Sequence, residues 1–346
     1  MQALIDTLMQ GQALTRAQTA QLFSAVVKGE VEPVVLSAVL VAMKLRGETI
    51  DEIAGAADAL RAEAKPFPKC DYPVVDIVGT GGDGHHTINV STTSSIVAAA
   101  AGAKVTKHGN RSVSSKSGSS DLLTQLGINL TMSPETAKHC LDEHNLTFLF
   151  APHYHAGVRH AMPVRQALKT RTLFNILGPL INPAHPQVML LGVYLPELVE
   201  PIAQALVALG VENALVVHGE GLDELALHGT SKAQEIRQGA LQPVSELSPA
   251  DFGLSEAPLS AIKGGTPEEN QAITLAILEG KATQAQTEAV LMNAGAALKL
   301  AGLADSYQAG AELAREAITS GAAMRTLQGF AQASQQEANA KEGAND

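Results

Sequence analysis

The stretch VVDIVGTGGDG at residues 74–84 joins an apolar run to a loop that contains four glycines. The run VVDIV is rich in β-branched residues and predicts a buried strand. In an open parallel sheet, ligands bind beyond the carboxyl ends of the strands, so a loop at this position is placed to bind a ligand. Because glycines let backbone N–H groups approach an anion closely, we expect that ligand to carry phosphate.

One candidate for such a ligand is a dinucleotide, since Gly79, Gly81 and Gly84 match the pattern G-x-G-x-x-G. Two details oppose this interpretation. Gly84 is followed by the polar run HHTIN rather than by a helix, and basic residues stand about 20 residues further on, where an acid should bind the ribose hydroxyls. A glycine turn that binds nothing is the other alternative at this point.

Patterns on either side of the loop predict the fold class. The first 65 residues carry helical spacing, and Thr15 to Gln18 and Thr49 to Glu52 fit capping boxes. After the proline-rich segment KPFPKCDYP, short β-branched runs alternate with helical stretches as far as ALVVHG, and helix returns from Thr266. We therefore expect an α/β protein: a small all-helical domain at 1–70, completed by a helical segment near 165–185, and a larger α/β domain at 71–346 with a mainly parallel central sheet flanked by helices.

Composition excludes several classes of function. A chain of 346 residues with a net charge of −11 has no overall basic surface for a nucleic-acid backbone. Cys70 and Cys140 lie far apart and indicate neither a disulfide framework nor a thiolate metal site. No apolar run approaches the roughly 18 residues of a membrane span, and the amino terminus does not resemble a signal peptide. We expect a cytoplasmic protein that binds neither membrane nor nucleic acid.

Two further polar stretches follow the glycine loop. NVSTTSS at 89–95 places hydroxyls at the start of a predicted helix, where unpaired N–H groups and the helix dipole favour an anion. KHGNRSVSSKSGSSD at 107–121 contains two lysines, an arginine, an asparagine and six serines. Together with the glycine loop, these stretches predict one polyanion pocket with donors for several phosphate oxygens.

Five stretches of this sequence resemble the anthranilate phosphoribosyltransferases in order and spacing: VGTGGDG, NVSTTSS, KHGNRSVSSKSGSSDLLTQLG, PVRQALKTRTLFNILGPLINP and GLDELALHG. The resemblance covers nearly the whole chain. It implies a fold shared with the nucleoside phosphorylases, a phosphoribosyl-binding role for the α/β domain at 71–346, and a homodimer that forms through the helical domain. It also implies that phosphoribose is transferred from phosphoribosyl pyrophosphate to the amine of anthranilate, with release of pyrophosphate, in the second step of tryptophan synthesis.

The resemblance also implies the site residues, and none of them is a covalent nucleophile. Those for phosphoribosyl pyrophosphate are Gly79, Gly82, Asp83, Thr87, Asn89, Val90, Ser91, Thr92, Lys107, His108, Gly109, Asn110, Arg111, Ser112, Val113, Ser114, Ser115 and Ser119. Those for anthranilate are Gly79, Asn110 and Arg165, the last as a bidentate partner of the carboxylate. Magnesium is the implied cofactor, held by Ser91, Asp223 and Glu224.

Each of these assignments has a simpler alternative. Taken alone, Asp223 and Glu224 could form a charged turn, and Arg165 could belong to a buried ion pair. A pyrimidine nucleoside phosphorylase would share the architecture without a metal, but its pattern lacks the GTGGD loop and the acid pair. A non-catalytic relative that binds nucleic acid is opposed by the net charge of −11.

Overall fold

The helical spacing of the first 65 residues produces four helices. The computed structural model describes residues 1–111 and 117–336. The capping boxes predicted at Thr15 and Thr49 are both present, and each holds an orphan N–H group at the start of its helix. The four helices are α1 (Gln2–Met9), α2 (Arg16–Val27), α3 (Pro33–Arg46) and α4 (Ile50–Ala62).

A seven-stranded sheet follows, with the spatial order β3-β2-β1-β4-β5-β6-β7. The first five strands in this order pair in parallel, whereas β6 and β7 form an antiparallel hairpin at the edge. The prediction of a mainly parallel sheet is therefore confirmed. The strands are β1 (Val75–Gly79), β2 (Val105–Gly109), β3 (Leu146–Phe150), β4 (Val188–Gly192), β5 (Asn213–Gly219), β6 (Ser231–Arg237) and β7 (Ala240–Leu247).

The connections between the parallel strands and the carboxyl-terminal region are helical, with short 3₁₀ turns. Thr266 caps a helix with Pro267 at its first position, as its sequence predicts. The remaining α-helices are α5 (Val90–Ala100), α6 (Ser119–Gln125), α7 (Pro134–His144), α8 (Ala151–Tyr154), α9 (Met162–Leu168), α10 (Phe174–Leu177), α11 (Val199–Ala208), α12 (Pro267–Leu278), α13 (Gln284–Leu300), α14 (Tyr307–Thr319) and α15 (Ala322–Ser334).

Both faces of the sheet are buried along the five parallel strands, and alternate side chains of each strand pack on opposite faces. In β4, Val188 and Leu190 pack in an apolar cluster with α5 and α13, whereas Met189 and Leu191 pack in a second cluster. That second cluster also contains the apolar side chains of α2, α3 and α4. The first four helices thus share a core with one face of the sheet, and the division into domains at residue 70 stays a prediction.

Candidate active site

The acid pair lies across the carboxyl ends of the central strands. Strand order reverses between the neighbours β1 and β4, which creates the crevice where ligands bind in open α/β sheets. These strands end in Gly79 and Gly192, and a Cβ atom added to either glycine would overlap Asp223. A Cβ at Gly219, the end of β5, would overlap the backbone of Glu224. Glycine at these ends therefore lets the acid pair approach the sheet.

The glycine loop is held against the acid pair by its own backbone. The Gly81 N–H donates to Asp223 Oδ2 at 2.6 Å, and the Thr80 N–H donates to the Gly192 carbonyl at 2.9 Å. Gly81, Gly82 and Gly84 have φ angles of +71°, +81° and +80°, which glycine adopts without strain. Within residues 1–111 and 117–336, the N–H groups of Gly82, Asp83 and Gly84 have no hydrogen-bond acceptor. Such a loop can bind an anion.

Three carboxylates come close together beside this loop. Burial raises the pKa of Asp223 to about 7, and the neighbouring Asp83 carboxylate adds to the effect. Burial also raises the pKa of Glu224 well above its ordinary value, and the charges of Asp223 and Asp83 raise it further. Like charges in a buried site disfavour the ionised forms, so this arrangement favours a bound cation.

Lys107 and Ser91 connect the acid pair to α5. The Lys107 ammonium donates to the Ile77 carbonyl at 2.6 Å and to Ser91 Oγ at 3.3 Å. The Ser91 N–H, in the first turn of α5, donates to Glu224 Oε1 at 3.1 Å. Burial lowers the pKa of Lys107, although the charges of Asp76, Glu224 and Asp223 oppose that effect. A buried cation therefore lies beside the carboxylates and the helix amino terminus.

The chemistry of this donor set suits a hard divalent cation. Glu224 Oε2 is buried and has no hydrogen-bond partner in the part of the chain that the structure describes. The described residues contain no group of three or more His, Cys, Asp or Glu side chains arranged to hold a metal. Magnesium prefers one or two carboxylates together with substrate phosphates and waters, so Asp223, Glu224 and Ser91 fit that ion only jointly with a ligand.

The predicted site segment from Thr87 to Asn89 is held in place by residues that the sequence did not single out, Asn270 and Lys263 among them. The Asn89 amide nitrogen donates to the Ser117 carbonyl at 3.2 Å, and Asn89 Oδ1 accepts from Asn270 Nδ2 at 2.8 Å. Thr87 pairs as a β-bridge with Lys263, in the segment before α12. The carboxyl-terminal region therefore supports the Thr87 to Asn89 segment, a contact that no local sequence pattern indicates.

His108 points away from Lys107, because consecutive residues of β2 face opposite sides of the sheet. Its Nδ1 lies 3.1 Å from the Gly178 carbonyl, and its ring packs edge-on against His155 at 5.2 Å. Burial lowers the pKa of His108 to about 3, with smaller effects from His155 and Lys107, so the imidazole is neutral. Its backbone N–H is 3.4 Å from Asp76 Oδ1.

Arg165 lies on α9, with its guanidinium carbon 5.5 Å from the centre of the Phe174 ring. Among the described residues it forms no ion pair, which leaves its charge available to a ligand. Burial lowers the pKa of Arg165. No hydrogen bond or ring contact within the described ranges joins Arg165 to Gly79 or Asn110, and the three residues stay a predicted acceptor site.

Further predicted residues lie at the same carboxyl end of the sheet. Asn110 and Arg111 follow β2 and are exposed, and the Asn110 carbonyl accepts from Ser119 Oγ at 3.1 Å. Val90 is buried in the apolar core and can offer a ligand only its backbone. Four predicted residues lie outside the described ones: Ser112, Val113, Ser114 and Ser115.

Comparisons with known proteins agree with this geometry. A model described as the glycosyl transferase family, helical bundle domain, matches residues 2–64, and one described as the glycosyl transferase family, a/b domain, matches residues 71–324. The anthranilate phosphoribosyltransferase of Shewanella sp. strain MR-7 is 61% identical over 340 residues, covering 96% of this chain and 97% of that protein. The chain belongs to the anthranilate phosphoribosyltransferase family. The resemblance of the five sequence stretches is thereby confirmed.

Solved structures of anthranilate phosphoribosyltransferases share the whole fold. That from Thermus thermophilus has a TM-score of 0.92 at 42% identity and covers 96% of this chain and 99% of its own. That from Saccharomyces cerevisiae, in complex with phosphoribosyl pyrophosphate and magnesium, has a TM-score of 0.88 at 29% identity, covering 96% and 97%. The fold class predicted from the sequence is confirmed.

Proposed function

We propose that the chain is an anthranilate phosphoribosyltransferase: it transfers the 5-phosphoribosyl group from phosphoribosyl pyrophosphate to the amine of anthranilate, giving N-(5-phosphoribosyl)anthranilate and pyrophosphate. The observation that carries the proposal is the contact between the acid pair and a glycine loop whose middle N–H groups have no acceptor among the described residues, at the crevice of the sheet. This arrangement suits a ligand that is both polyanionic and cation-bound. The named relatives supply the reaction.

The leaving pyrophosphate is the charge that this site would stabilise. The N–H groups of the glycine loop and the Lys107 ammonium would donate to its oxygens, supplemented by Ser91 in the first turn of α5. As the glycosidic C–O bond breaks, positive charge builds on the ribose C1 and negative charge on the pyrophosphate. Donors fixed in a partly buried site stabilise that charge with little reorganisation.

Asp223, Glu224 and Ser91 would hold magnesium together with oxygens of the phosphoribosyl pyrophosphate. When bound, the ion would neutralise the negative charge that develops on the pyrophosphate. The yeast relative in complex with phosphoribosyl pyrophosphate and magnesium supports this assignment, as does Glu224 Oε2, which no described residue contacts by a hydrogen bond.

Anthranilate would approach ribose C1 from the face opposite the pyrophosphate. Arg165 would bind the carboxylate, and Asn110 and Gly79 would lie near the amine. The aromatic amine is neutral at pH 7 and can attack C1 directly, so no covalent nucleophile is needed. The proton leaves the nitrogen after the C–N bond has formed. A yeast relative in complex with 4-fluoroanthranilate supports an aromatic acceptor of this size.

We also propose a homodimer that forms through the helical domain, in the cytoplasm. Val34 and Leu45 on α3 are each 82% exposed, and their spacing of about three helical turns places both on one face of the helix, where they could pack against a second copy. In the double variant Val34→Glu/Leu45→Glu, sedimentation should detect monomers at concentrations where the parent is a dimer. Leu303→Glu, at an exposed position outside these helices, is the control and should leave the dimer intact. A monomeric parent would contradict the proposal.

The activity is tested by following the fluorescence of anthranilate as it is consumed. We expect consumption only when phosphoribosyl pyrophosphate and magnesium are both present, and none after complete chelation of the metal. Phosphorolysis of thymidine without magnesium is the control reaction that distinguishes a nucleoside phosphorylase. Turnover of thymidine without turnover of anthranilate would overturn the proposal.

As for the membrane, none of the helices among the described residues is long and apolar enough to cross one.

A further inference from the structure

Arg171 contacts the glycine loop from the opposite side of the crevice. It lies between α9 and α10, and its Nη2 donates a hydrogen bond to the carbonyl of Gly82. Its guanidinium carbon is 3.9 Å from the centre of the Tyr194 ring, a distance at which an arginine stacks on an aromatic face. In the described part of the chain, Arg171 forms no ion pair, and it contacts the loop carbonyl and the Tyr194 ring.

Tyr194 holds the same loop at a second position. It follows β4 by two residues, and its backbone N–H donates to Thr80 Oγ1 at 3.1 Å. The Thr80 N–H in turn donates to the Gly192 carbonyl at 2.9 Å. The segment after β4 therefore fixes the start of the loop directly, and it fixes the middle of the loop through the guanidinium that stacks on the Tyr194 ring.

The contact at the Gly82 carbonyl also determines the direction in which the Asp83 N–H group points. In a trans peptide, the carbonyl of Gly82 and the N–H of Asp83 lie in one plane and point in opposite directions. A guanidinium that holds the carbonyl therefore also sets the direction of the Asp83 N–H. Gly82 has a φ angle of +81°, a region in which its own backbone would otherwise rotate at little cost.

We infer that Arg171, stacked on Tyr194, is a positioning residue that holds the glycine loop with its N–H groups directed at the pyrophosphate of the donor substrate. The inference rests on the proposed function and deepens it. Arg171 acts through the loop and contributes to the binding of the donor rather than of anthranilate. The Tyr194 ring contributes by restricting the guanidinium to one plane.

Four variants test the inference: Arg171→Ala, Arg171→Lys, Tyr194→Leu and Tyr194→Phe. We expect Arg171→Ala to raise the KM for phosphoribosyl pyrophosphate about tenfold, the effect of losing one charge-assisted hydrogen bond, with the KM for anthranilate unchanged. Arg171→Lys should keep most of the defect, because an ammonium has no planar fork to stack and donate at once. Tyr194→Leu should raise the donor KM and Tyr194→Phe should not.

A double-mutant cycle tests whether Tyr194 acts through Arg171. If Tyr194 acts through Arg171, then Arg171→Ala/Tyr194→Leu should be no worse than Arg171→Ala alone. Additive effects would overturn the inference, and so would a parental donor KM in Arg171→Ala or an equal rise in the anthranilate KM. Arg237→Ala removes an exposed cation on β6 and should match the parent.

The proposed function and this inference can fail separately. A parent chain that does not consume anthranilate refutes the function. Whether or not the parent consumes anthranilate, calorimetric titration with inorganic pyrophosphate and magnesium measures how tightly the site binds pyrophosphate. Weaker binding in Arg171→Ala than in the parent and in Arg237→Ala, at an unchanged thermal unfolding midpoint, supports the positioning role, and equal binding in all three proteins overturns it.

Discussion

Asp223 and Glu224 can be tested as metal ligands separately from the fold. The variant Asp223→Asn/Glu224→Gln should stay folded, since it removes two buried charges that burial and mutual repulsion already disfavour. It should lose catalysis by roughly two or more orders of magnitude, because charge on the leaving group then meets only Lys107 and N–H groups. Steady-state turnover against magnesium concentration measures the loss, and excess magnesium should partly rescue each single variant.

The control for this variant is Glu312→Gln/Glu316→Gln, which removes the same charge from the exposed face of α14. It should keep parental turnover, because surface substitutions seldom change stability by more than about 0.5 kcal/mol. Near-normal turnover of the acid-pair variant at limiting magnesium, with the parental dependence on the ion, would contradict the metal role.

Arg165 is the residue whose loss should affect the acceptor alone. Arg165→Ala should raise the KM for anthranilate by about 30-fold, equivalent to roughly 2 kcal/mol for a lost bidentate contact to a carboxylate. The KM for phosphoribosyl pyrophosphate should not change. Arg165→Lys keeps the charge but lacks the planar guanidinium, so its KM for anthranilate should lie between those of the parent and Arg165→Ala. A raised donor KM beside an unchanged anthranilate KM would show that the arginine belongs to the other half of the site.

The sequence could predict residues whose type reveals their chemistry, but not residues that act by support. Glycines, hydroxyls and paired acids are the groups that phosphate and magnesium require, so they stood out. Asn270 and Arg171 are ordinary polar residues on segments remote in sequence, and their contacts with Asn89 and Gly82 exist only once the sheet has assembled. No spacing rule connects positions 82 and 171.

At the level of elements, the glycines at the ends of the strands determine how closely the acid pair, Asp223 and Glu224, approaches the sheet. Gly192→Ala should destabilise the protein by about 2 kcal/mol or more and weaken the response to magnesium, because the added Cβ would overlap the Asp223 backbone. Gly178→Ala is the control: it has a φ angle of −48° and no atom within 4 Å of the added Cβ. Urea unfolding of both variants measures the difference. Equal stabilities would show that the segment of Asp223 and Glu224 moves away from the added Cβ at no cost, against this prediction.

The parallel strands were predictable because each is a short run rich in β-branched or apolar residues, although β2 also buries Lys107 and His108. The hairpin of β6 and β7 was not, since β7 lies at the edge and most of its residues are exposed. Its one local signal is the turn at Gln238 and Gly239, where both φ angles are positive, at +51° and +76°. That conformation is typical of tight hairpins, but Gln is an uncommon residue for it.

Across the whole molecule, burial of histidines connects stability to pH. Burial lowers the pKa of His108 to about 3 and that of His155 to about 4, whereas an unfolded chain titrates near 6.5. Each neutral ring therefore contributes stability that is fully present above about pH 6.5 and is lost as the pH falls toward the folded value. Burial raises the pKa of Asp76 to about 6, which acts in the opposite direction between pH 4 and 6.

Because these contributions oppose one another, a variant must isolate one of them. Relative to His108→Asn, the parent should lose about 2 to 3 kcal/mol of unfolding free energy between pH 7 and pH 4.5, since only the parent carries the buried His108 ring that the unfolded state protonates. Urea unfolding at the two pH values measures it. His139→Asn, at an exposed position on α7, should follow the parent at both values. If the curves of the parent and His108→Asn run parallel, the imidazole takes up its proton in the folded protein. In that case the neutral state assigned to His108 is wrong.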